Sequence, residues 1–169
     1  MISYLFLILE YIATRSKGVV YNVGIAVFIS TLFYVTKIDT NTVIETSKSA
    51  VDLLGILLGF TISMFAIILS VNNDIITKTK EVFLNVKFYK QKFSLYDRLI
   101  TGIAFVIFLF SFLLIYNFIF PIVYISLLKQ YVIFFVINIG IIIFSILELL
   151  SCIVNYYLLI TNKKKNSNY

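Results

Sequence analysis

Long runs of apolar residues separated by short polar segments dominate the pattern along this chain. Four of them have roughly the length needed to cross a bilayer, about 20 residues, and they cover residues 19–35, 53–71, 99–120 and 131–150. Transmembrane β-strands would alternate apolar and polar residues in short segments, whereas these runs are continuous. In lipid a continuous run has to satisfy its own backbone hydrogen bonds, so each run is predicted to be a helix.

Several residues mark the predicted ends of these helices. Pro121 should stop the third span, because proline cannot continue a helix without losing a backbone hydrogen bond. The fourth apolar run continues to about residue 160, so this helix is expected to extend beyond the bilayer. Thr42, Ser49 and Ser94 are each followed three residues later by an acid, which is the spacing of a capping box. The second helix is therefore predicted to begin at Thr42 or Ser49, and the third at Ser94.

Residues 1–14 are apolar but too short to cross the membrane. At about 1.5 Å per residue, these fourteen residues reach roughly 21 Å, less than the bilayer core. The segment lacks the basic start and the cleavage site of a signal sequence. Its polar residues Ser3, Glu10 and Thr14 fall near one helical face. An amphipathic helix lying in the membrane interface is predicted, and a fifth span joined to the first is the alternative.

The composition supports a single membrane domain covering residues 1–169. The chain is 61% apolar and only 13% charged, whereas a soluble domain is about half apolar and about a quarter charged. It contains no His and one Cys, which excludes Ser-His-Asp and Cys-His nucleophiles, His-based metal sites and thiolate cages. We therefore expect a non-enzymatic, all-α integral membrane protein, a four-helix transmembrane bundle without catalytic, cofactor-binding or metal-binding residues.

The distribution of Lys and Arg predicts the orientation. Two precede the first span, six lie between the second and third, and three are in the tail, eleven in all. The other two connections carry two and one. Because positive residues concentrate on the cytoplasmic side, both termini and the 72–98 loop are predicted to be cytoplasmic. The net charge of +6 thus reflects topology, and direct binding of nucleic acid is not expected.

The second span carries a row of small or polar residues on one helical face, within a stripe about 80° wide at 100° per residue. We call it the small-residue stripe, and its members are Asp52, Gly55, Gly59, Ser63, Ala66 and Ser70. Such residues let helix backbones approach closely in lipid. The stripe is therefore predicted to be a contact surface. It either packs within one chain, joins subunits of a homo-oligomer, or lines a pore.

A carboxylate, Glu148, lies inside the fourth apolar run. Ser145, Cys152 and Asn155 share its helical face, forming a polar seam. A charge within a span usually faces the bundle interior or a polar cavity. In the alternative, the membrane core ends near Leu147 and Glu148 begins a cytoplasmic extension of the helix. Cys152 is expected to be a buried small residue, with an intermolecular disulfide as the less favoured role.

The 72–98 loop is basic and rich in aromatic residues. Its positive residues are Lys78, Lys80, Lys87, Lys90, Lys92 and Arg98. Next to a membrane, such residues contact anionic lipid headgroups, and a cytosolic protein partner is the alternative ligand. The basic tail, residues 161–169, is expected to be disordered.

The size, the four spans and the second-helix sequence LLGILLGFTISMFAIILS resemble the small four-span membrane components of bacterial anti-phage defence loci, such as the membrane subunit of the Kiwa system. The resemblance implies a homo-oligomer in the bacterial inner membrane that senses or acts together with a cytosolic partner. It carries over no catalytic residue. The competing function is a pore former, such as a holin-like lysis protein or an abortive-infection channel, and a small transporter is a third.

Overall fold

The computed structural model describes residues 2–34, 39–70, 74–88, 91–128 and 132–166. These residues form five α-helices, one antiparallel pair of strands and a π-helical turn. In chain order the elements are α1 (Ile2–Tyr34), α2 (Thr40–Ser70), α3 (Asp74–Glu81), β1 (Phe83–Phe88), β2 (Gln91–Ser94), α4 (Leu95–Val123), the π-helical turn (Tyr124–Leu128) and α5 (Val132–Asn166). The predictions for Lys90 and for residues 167–169 lie outside the described residues.

Four helices contain a stretch that is long and apolar enough to cross a membrane. These stretches are Lys17–Tyr34 in α1, Thr40–Ser70 in α2, Leu95–Ser126 in α4 and its π-helical turn, and Val132–Leu158 in α5. The prediction of four helices of spanning length is confirmed. The described residues are almost entirely helical, and the length and composition of these four helices are those of an all-α, multi-pass membrane protein.

The helix α4 is the centre of the bundle and packs against α1, α2 and α5. Its apolar residues are continuous around the helix, so it has apolar side chains to present to all three neighbours. The main core cluster lies between α2, α4 and α5. Its buried members include Leu54, Ile68, Ile103, Phe110 and Leu149.

A second cluster packs toward the other end of α4, beside a pair of buried asparagines. Phe120, Phe135 and Ile139 belong to its apolar part. The Asn138 side-chain amide donates to the Asn117 side-chain oxygen at 2.8 Å, and Asn117 also donates to the backbone oxygen of Leu113 at 2.9 Å. Polar pairs of this kind satisfy each other where no water is present, and they fix the neighbouring helices in register.

Pro121 does not end the third span, so that prediction is wrong. The helix α4 continues through Pro121 to Val123 and passes directly into the π-helical turn. Proline removes one backbone donor, but a helix in lipid tolerates this loss where local π-type adjustments satisfy the freed groups. The backbone N–H of Tyr124 accordingly donates to the carbonyls of Phe120 and Pro121.

The start of α2 also differs from the prediction. The helix begins at Thr40, about three turns before the predicted span. Neither Thr42 nor Ser49 is the cap. Asp39 has that role, because its carboxylate accepts a hydrogen bond from the Thr42 backbone N–H at 2.9 Å. The bonds from Thr42 lower the pKa of Asp39.

Residues 2–14 form one helix with the first span rather than a separate element. The helix α1 runs from Ile2 to Tyr34 and is interrupted by a kink at Arg15, whose φ of −129° and ψ of 17° are not helical. The predicted helix at residues 1–14 is thus present from Ile2, joined to the first span. Its apolar residues Leu5, Leu9 and Ile12 are exposed, which is the arrangement expected for a helix whose outer face touches lipid.

The basic loop is more ordered than a simple connection. It contains α3, the two strands and the first residues of α4. Phe83 pairs with Ser94 and Phe88 with Gln91 in the antiparallel sheet. The capping box predicted at Ser94 is confirmed, since its hydroxyl accepts from the Asp97 N–H at 3.1 Å and Asp97 accepts from the Ser94 N–H at 2.9 Å.

The C-terminal helix α5 continues to Asn166, so the expectation of a disordered tail is wrong for residues 161–166.

Candidate functional site

The small-residue stripe of α2 lies on the outside of the molecule. Asp52, Gly55, Gly59, Ser63, Ala66 and Ser70 are all exposed. A β-carbon added at Gly59 would meet no atom within 4 Å, and one at Gly55 would meet only a Leu114 methyl group at 3.9 Å. The helix packs on α4 through a different face, which includes Ala50 and Leu54. Packing of the stripe within one chain is therefore wrong, and the subunit contact and the pore lining remain.

The polar seam of α5 faces the interior of the bundle, whereas the small-residue stripe of α2 faces outward. Ser145, Glu148 and Cys152 are fully buried, and Asn155 is half-buried. Glu148 is only 1% exposed, so its side chain faces the interior of the bundle. That the membrane core ends near Leu147 and that Glu148 begins a cytoplasmic extension of the helix stays a prediction. Cys152 is a buried free thiol, as predicted.

Glu148 is paired with a positive side chain of α1. One of its oxygens lies 3.4 Å from Nη1 of Arg15, which is itself only 4% exposed. The other oxygen accepts a hydrogen bond from the Asn22 amide at 2.9 Å. The same amide donates to the Ser151 hydroxyl at 3.1 Å. The carboxylate is thus compensated by one charge and one amide, which a buried ion requires.

The kink in α1 and a glycine in α4 bring this pair together. Arg15 is the kinked residue, and its guanidinium lies against Gly102 and Cys152. A β-carbon at residue 102 would be 3.2 Å from both the Arg15 Cζ and the Cys152 Sγ, closer than ordinary van der Waals contact. A side chain at this point of α4 would require the guanidinium or the thiol to shift by a few tenths of an ångström, so glycine allows the closest approach of the guanidinium to α4.

Two further contacts hold residues 2–14 on α4. The Tyr11 ring stacks on Phe105, with 3.8 Å between ring centroids. The Thr101 hydroxyl donates to the Glu10 carboxylate at 2.9 Å. Burial, followed by the nearby carboxylate of Glu148, raises the pKa of the Tyr11 phenol. The buried Arg15–Glu148 pair and the residues around it are called the charge cluster below. Its members are Tyr11, Arg15, Asn22, Arg98, Gly102 and Glu148.

Sequence reasoning identified Glu148 but missed Arg15, Asn22 and Tyr11 as its neighbours. The spacing of residues along α5 shows which of them share a face, but it does not show which helix that face meets. The Lys and Arg counts did contain one indication that Arg15 and Glu148 lie near each other. They place Arg15, just before the first span, on the same side of the membrane as the C-terminal end of the fourth span, near Glu148.

Among the basic residues of the 72–98 loop, the structure describes the side chains of Lys80 and Arg98. Lys80 is exposed, and its ammonium lies 4.9 Å from the centre of the Tyr96 ring. Arg98, the member of the charge cluster that belongs to this loop, is half-buried in the first turn of α4. Lys78 lies in α3, Lys87 in β1 and Lys92 in β2.

The chemistry available in this arrangement is ionic and hydrogen-bonding. Among the described residues, no three or more His, Cys, Asp or Glu side chains are grouped so that they could hold a metal ion. Comparison with known protein families, curated proteins and solved structures finds no match for this chain. Two features of the molecule are therefore candidate functional sites. One is the exposed small-residue stripe of α2, and the other is the buried charge cluster.

Proposed function

We propose that this protein is a non-enzymatic, homo-oligomeric component of the bacterial inner membrane that works with a cytosolic partner in defence against phage. The exposure of the whole small-residue stripe is the observation that carries the oligomeric part. The defence role follows from the resemblance of size, span number and second-helix sequence. The cytoplasmic position of both termini follows from the Lys and Arg counts.

An exposed stripe of this kind favours contact between copies. Lipid tails do not drive helices together, so association depends on close packing, which small side chains permit. The stripe follows α2 over five turns, from Asp52 to Ser70. The hydroxyls of Ser63 and Ser70 donate to backbone oxygens of their own helix, so neither hydroxyl needs a partner from another helix. A second α2 can therefore lie directly against it.

Disulfide trapping tests the contact. Ser63→Cys, on a Cys152→Ala background, should form a disulfide-linked dimer when native membranes are oxidised, because two Cα atoms within about 7 Å can be bridged. Thr31→Cys is the matched control, since Thr31 is also an exposed hydroxyl residue in a spanning helix. Efficient trapping at both positions, or at neither, would contradict a contact through the stripe.

The ordered part of the basic loop supports a cytosolic partner. The helix α3 and strands β1 and β2 give this loop a defined surface rather than a flexible connection. Lys80 is exposed on it. Replacing Lys80 together with Lys87 and Lys92 by Gln should weaken partner or headgroup binding in a salt-dependent manner. Co-purification from cells carrying the native locus, at low and at high salt, measures the partner component.

A pore former is the second candidate, because the exposed stripe also presents polar side chains. Asp52, Ser63 and Ser70 would line the centre of a ring of α2 helices. A holin-like pore should depolarise the membrane when the protein is expressed alone. A sensing component should leave the potential unchanged until phage infection, and its locus should lower phage plating efficiency. Depolarisation without phage would favour the pore over the defence component.

A further inference from the structure

The charge cluster contains hydrogen-bond donors that no described residue satisfies. Five buried side-chain nitrogen or oxygen atoms lack a partner among the described residues, and four of them belong to this cluster. They are the Tyr11 hydroxyl, Nε and Nη2 of Arg15, and Nε of Arg98. Every one is an N–H or O–H donor. A buried donor without an acceptor is costly, so an acceptor brought from outside the chain would stabilise this site.

The unsatisfied edge of Arg15 has a specific shape. Glu148 is bonded through Nη1 alone, which leaves Nε and Nη2, the two donors of one guanidinium edge. Paired donors on one edge match two oxygens of the same carboxylate or phosphate group. Glu148 already accepts from Arg15 and Asn22, and Glu10 accepts from Thr101. Neither carboxylate accepts a hydrogen bond from Nε or Nη2 of Arg15.

Arg98 extends this edge toward the surface. It lies on α4 one turn before Gly102, the residue against which the Arg15 guanidinium packs. The Arg15 guanidinium therefore lies about one helical turn along α4 from the backbone of Arg98. Two guanidinium groups of the same charge repel each other, and an anion between them removes that repulsion. Arg98 is half-buried whereas Arg15 is only 4% exposed, so Arg98 is the more accessible of the two guanidinium groups.

The position in the fold favours a membrane phosphate. Arg98 stands in the first turn of α4, directly after β2, at the end of the bundle that the Lys and Arg counts place in the cytoplasm. The segment of α1 that Glu10 and Tyr11 hold on α4 carries exposed apolar residues, Leu5 and Leu9 among them. A phospholipid presents both parts that this surface requires, an anionic headgroup for the arginines and acyl chains for the apolar face.

We propose that Arg15 and Arg98, assisted by the Tyr11 hydroxyl, form a binding site for a phosphate group carried by an anionic phospholipid or by a free phosphate ion. The Nε and Nη2 donors of Arg15 bind two phosphate oxygens, and Arg98 Nε binds the phosphate from the surface side. Glu148 and Asn22 hold the Arg15 guanidinium in place. The site needs neither an oligomer nor a protein partner and so goes beyond the proposed function.

Thermal unfolding of the full-length protein in a non-ionic detergent tests the site, because a ligand that binds only the folded state raises the unfolding temperature. Three additions are compared: phosphatidylglycerol, diacylglycerol, which lacks the phosphate, and inorganic phosphate. Stabilisation by phosphatidylglycerol alone identifies a lipid site. Equal stabilisation by inorganic phosphate identifies a free phosphate as the ligand. No stabilisation by either, or equal stabilisation by diacylglycerol, would overturn the proposal.

Two variants and one control locate the effect. Arg15→Lys keeps a positive charge beside Glu148 but removes the two-donor edge, and Arg98→Gln removes the second guanidinium. Each variant should bind the stabilising ligand with an apparent Kd about tenfold or more higher than that of the wild type. Lys48→Gln makes the same charge change at an exposed position on α2 and should bind as the wild type does. The unfolding temperature without ligand shows which variants fold. Wild-type affinity in Arg98→Gln, or the same loss in Lys48→Gln, would contradict a built site.

Discussion

At the scale of single residues, Glu148 shows how a charge is tolerated within an apolar bundle. It is surrounded by Arg15 and Asn22 rather than by lipid. Its place on an inward face could be predicted from the spacing of Ser145 and Cys152 on the same helix. Its partner could not, because Arg15 is 133 residues away in the sequence. The contact depends on a kink and on Gly102, and neither leaves a distinctive pattern in one sequence.

The buried pair makes a quantitative prediction for stability. Glu148→Gln leaves Arg15 uncompensated, and Arg15→Gln leaves Glu148 uncompensated. Each should lower the free energy of unfolding by about 3–5 kcal/mol, since removing one member of a buried pair exposes the desolvation cost of the other. Equilibrium unfolding of the purified protein in detergent measures the change.

The double variant provides the decisive comparison. Arg15→Gln combined with Glu148→Gln should cost clearly less than the sum of the two single changes, because no uncompensated charge remains. Glu45→Gln, at an exposed position on α2, should change stability by no more than about 0.5 kcal/mol. Additive costs in the double variant would show that the two residues do not act as a pair.

At the scale of elements, hydrophobic runs predicted the four spanning helices because lipid requires a continuous run to be helical. The ends were less predictable. Pro121 is carried within α4 by the π-helical adjustment at Tyr124, and Asp39 rather than Thr42 or Ser49 caps α2. Such outcomes depend on local hydrogen bonds that several sequence positions can supply. The capping box at Ser94 was predictable because the same two residues satisfy each other.

The kink at Arg15 divides α1 into two segments that should respond separately. Tyr11→Ala removes the ring that stacks on Phe105, so amides in residues 2–14 should exchange with deuterium faster, by about tenfold or more. Residues 17–34 should exchange at the wild-type rate. Tyr21→Ala, at an exposed position beyond the kink, is the control. Faster exchange along the whole of α1 would contradict this division.

At the scale of the whole molecule, the bundle has two candidate functional sites, one buried and one exposed. The charge cluster lies inside, between α1, α4 and α5, whereas the small-residue stripe lies outside on α2. The periodicity of α2 predicted that the stripe forms one face. It did not predict that α4 would pack on another, because α2 is apolar on several sides and either face could meet a neighbour.

The orientation of the bundle follows from charge and can be tested by labelling. On a Cys152→Ala background, Asn41→Cys and Ser126→Cys should react with a membrane-impermeant maleimide in intact cells. Lys80→Cys should react only after permeabilisation. All three positions are exposed in the structure, so burial does not limit the reaction. Labelling of Lys80→Cys from outside would reverse the topology inferred from the Lys and Arg counts.

The assembly size of Gly59→Leu tests most directly whether copies meet through the stripe. Leu fills the open space above Gly59, suits lipid and is a better helix former than Gly, so it harms only a contact with another molecule. The detergent-solubilised variant should form smaller assemblies than the wild type while remaining inserted and folded. Gly24→Leu makes the same change at another glycine with open space around it and should assemble normally. Wild-type assembly size in Gly59→Leu, or an equal reduction in Gly24→Leu, would contradict the account.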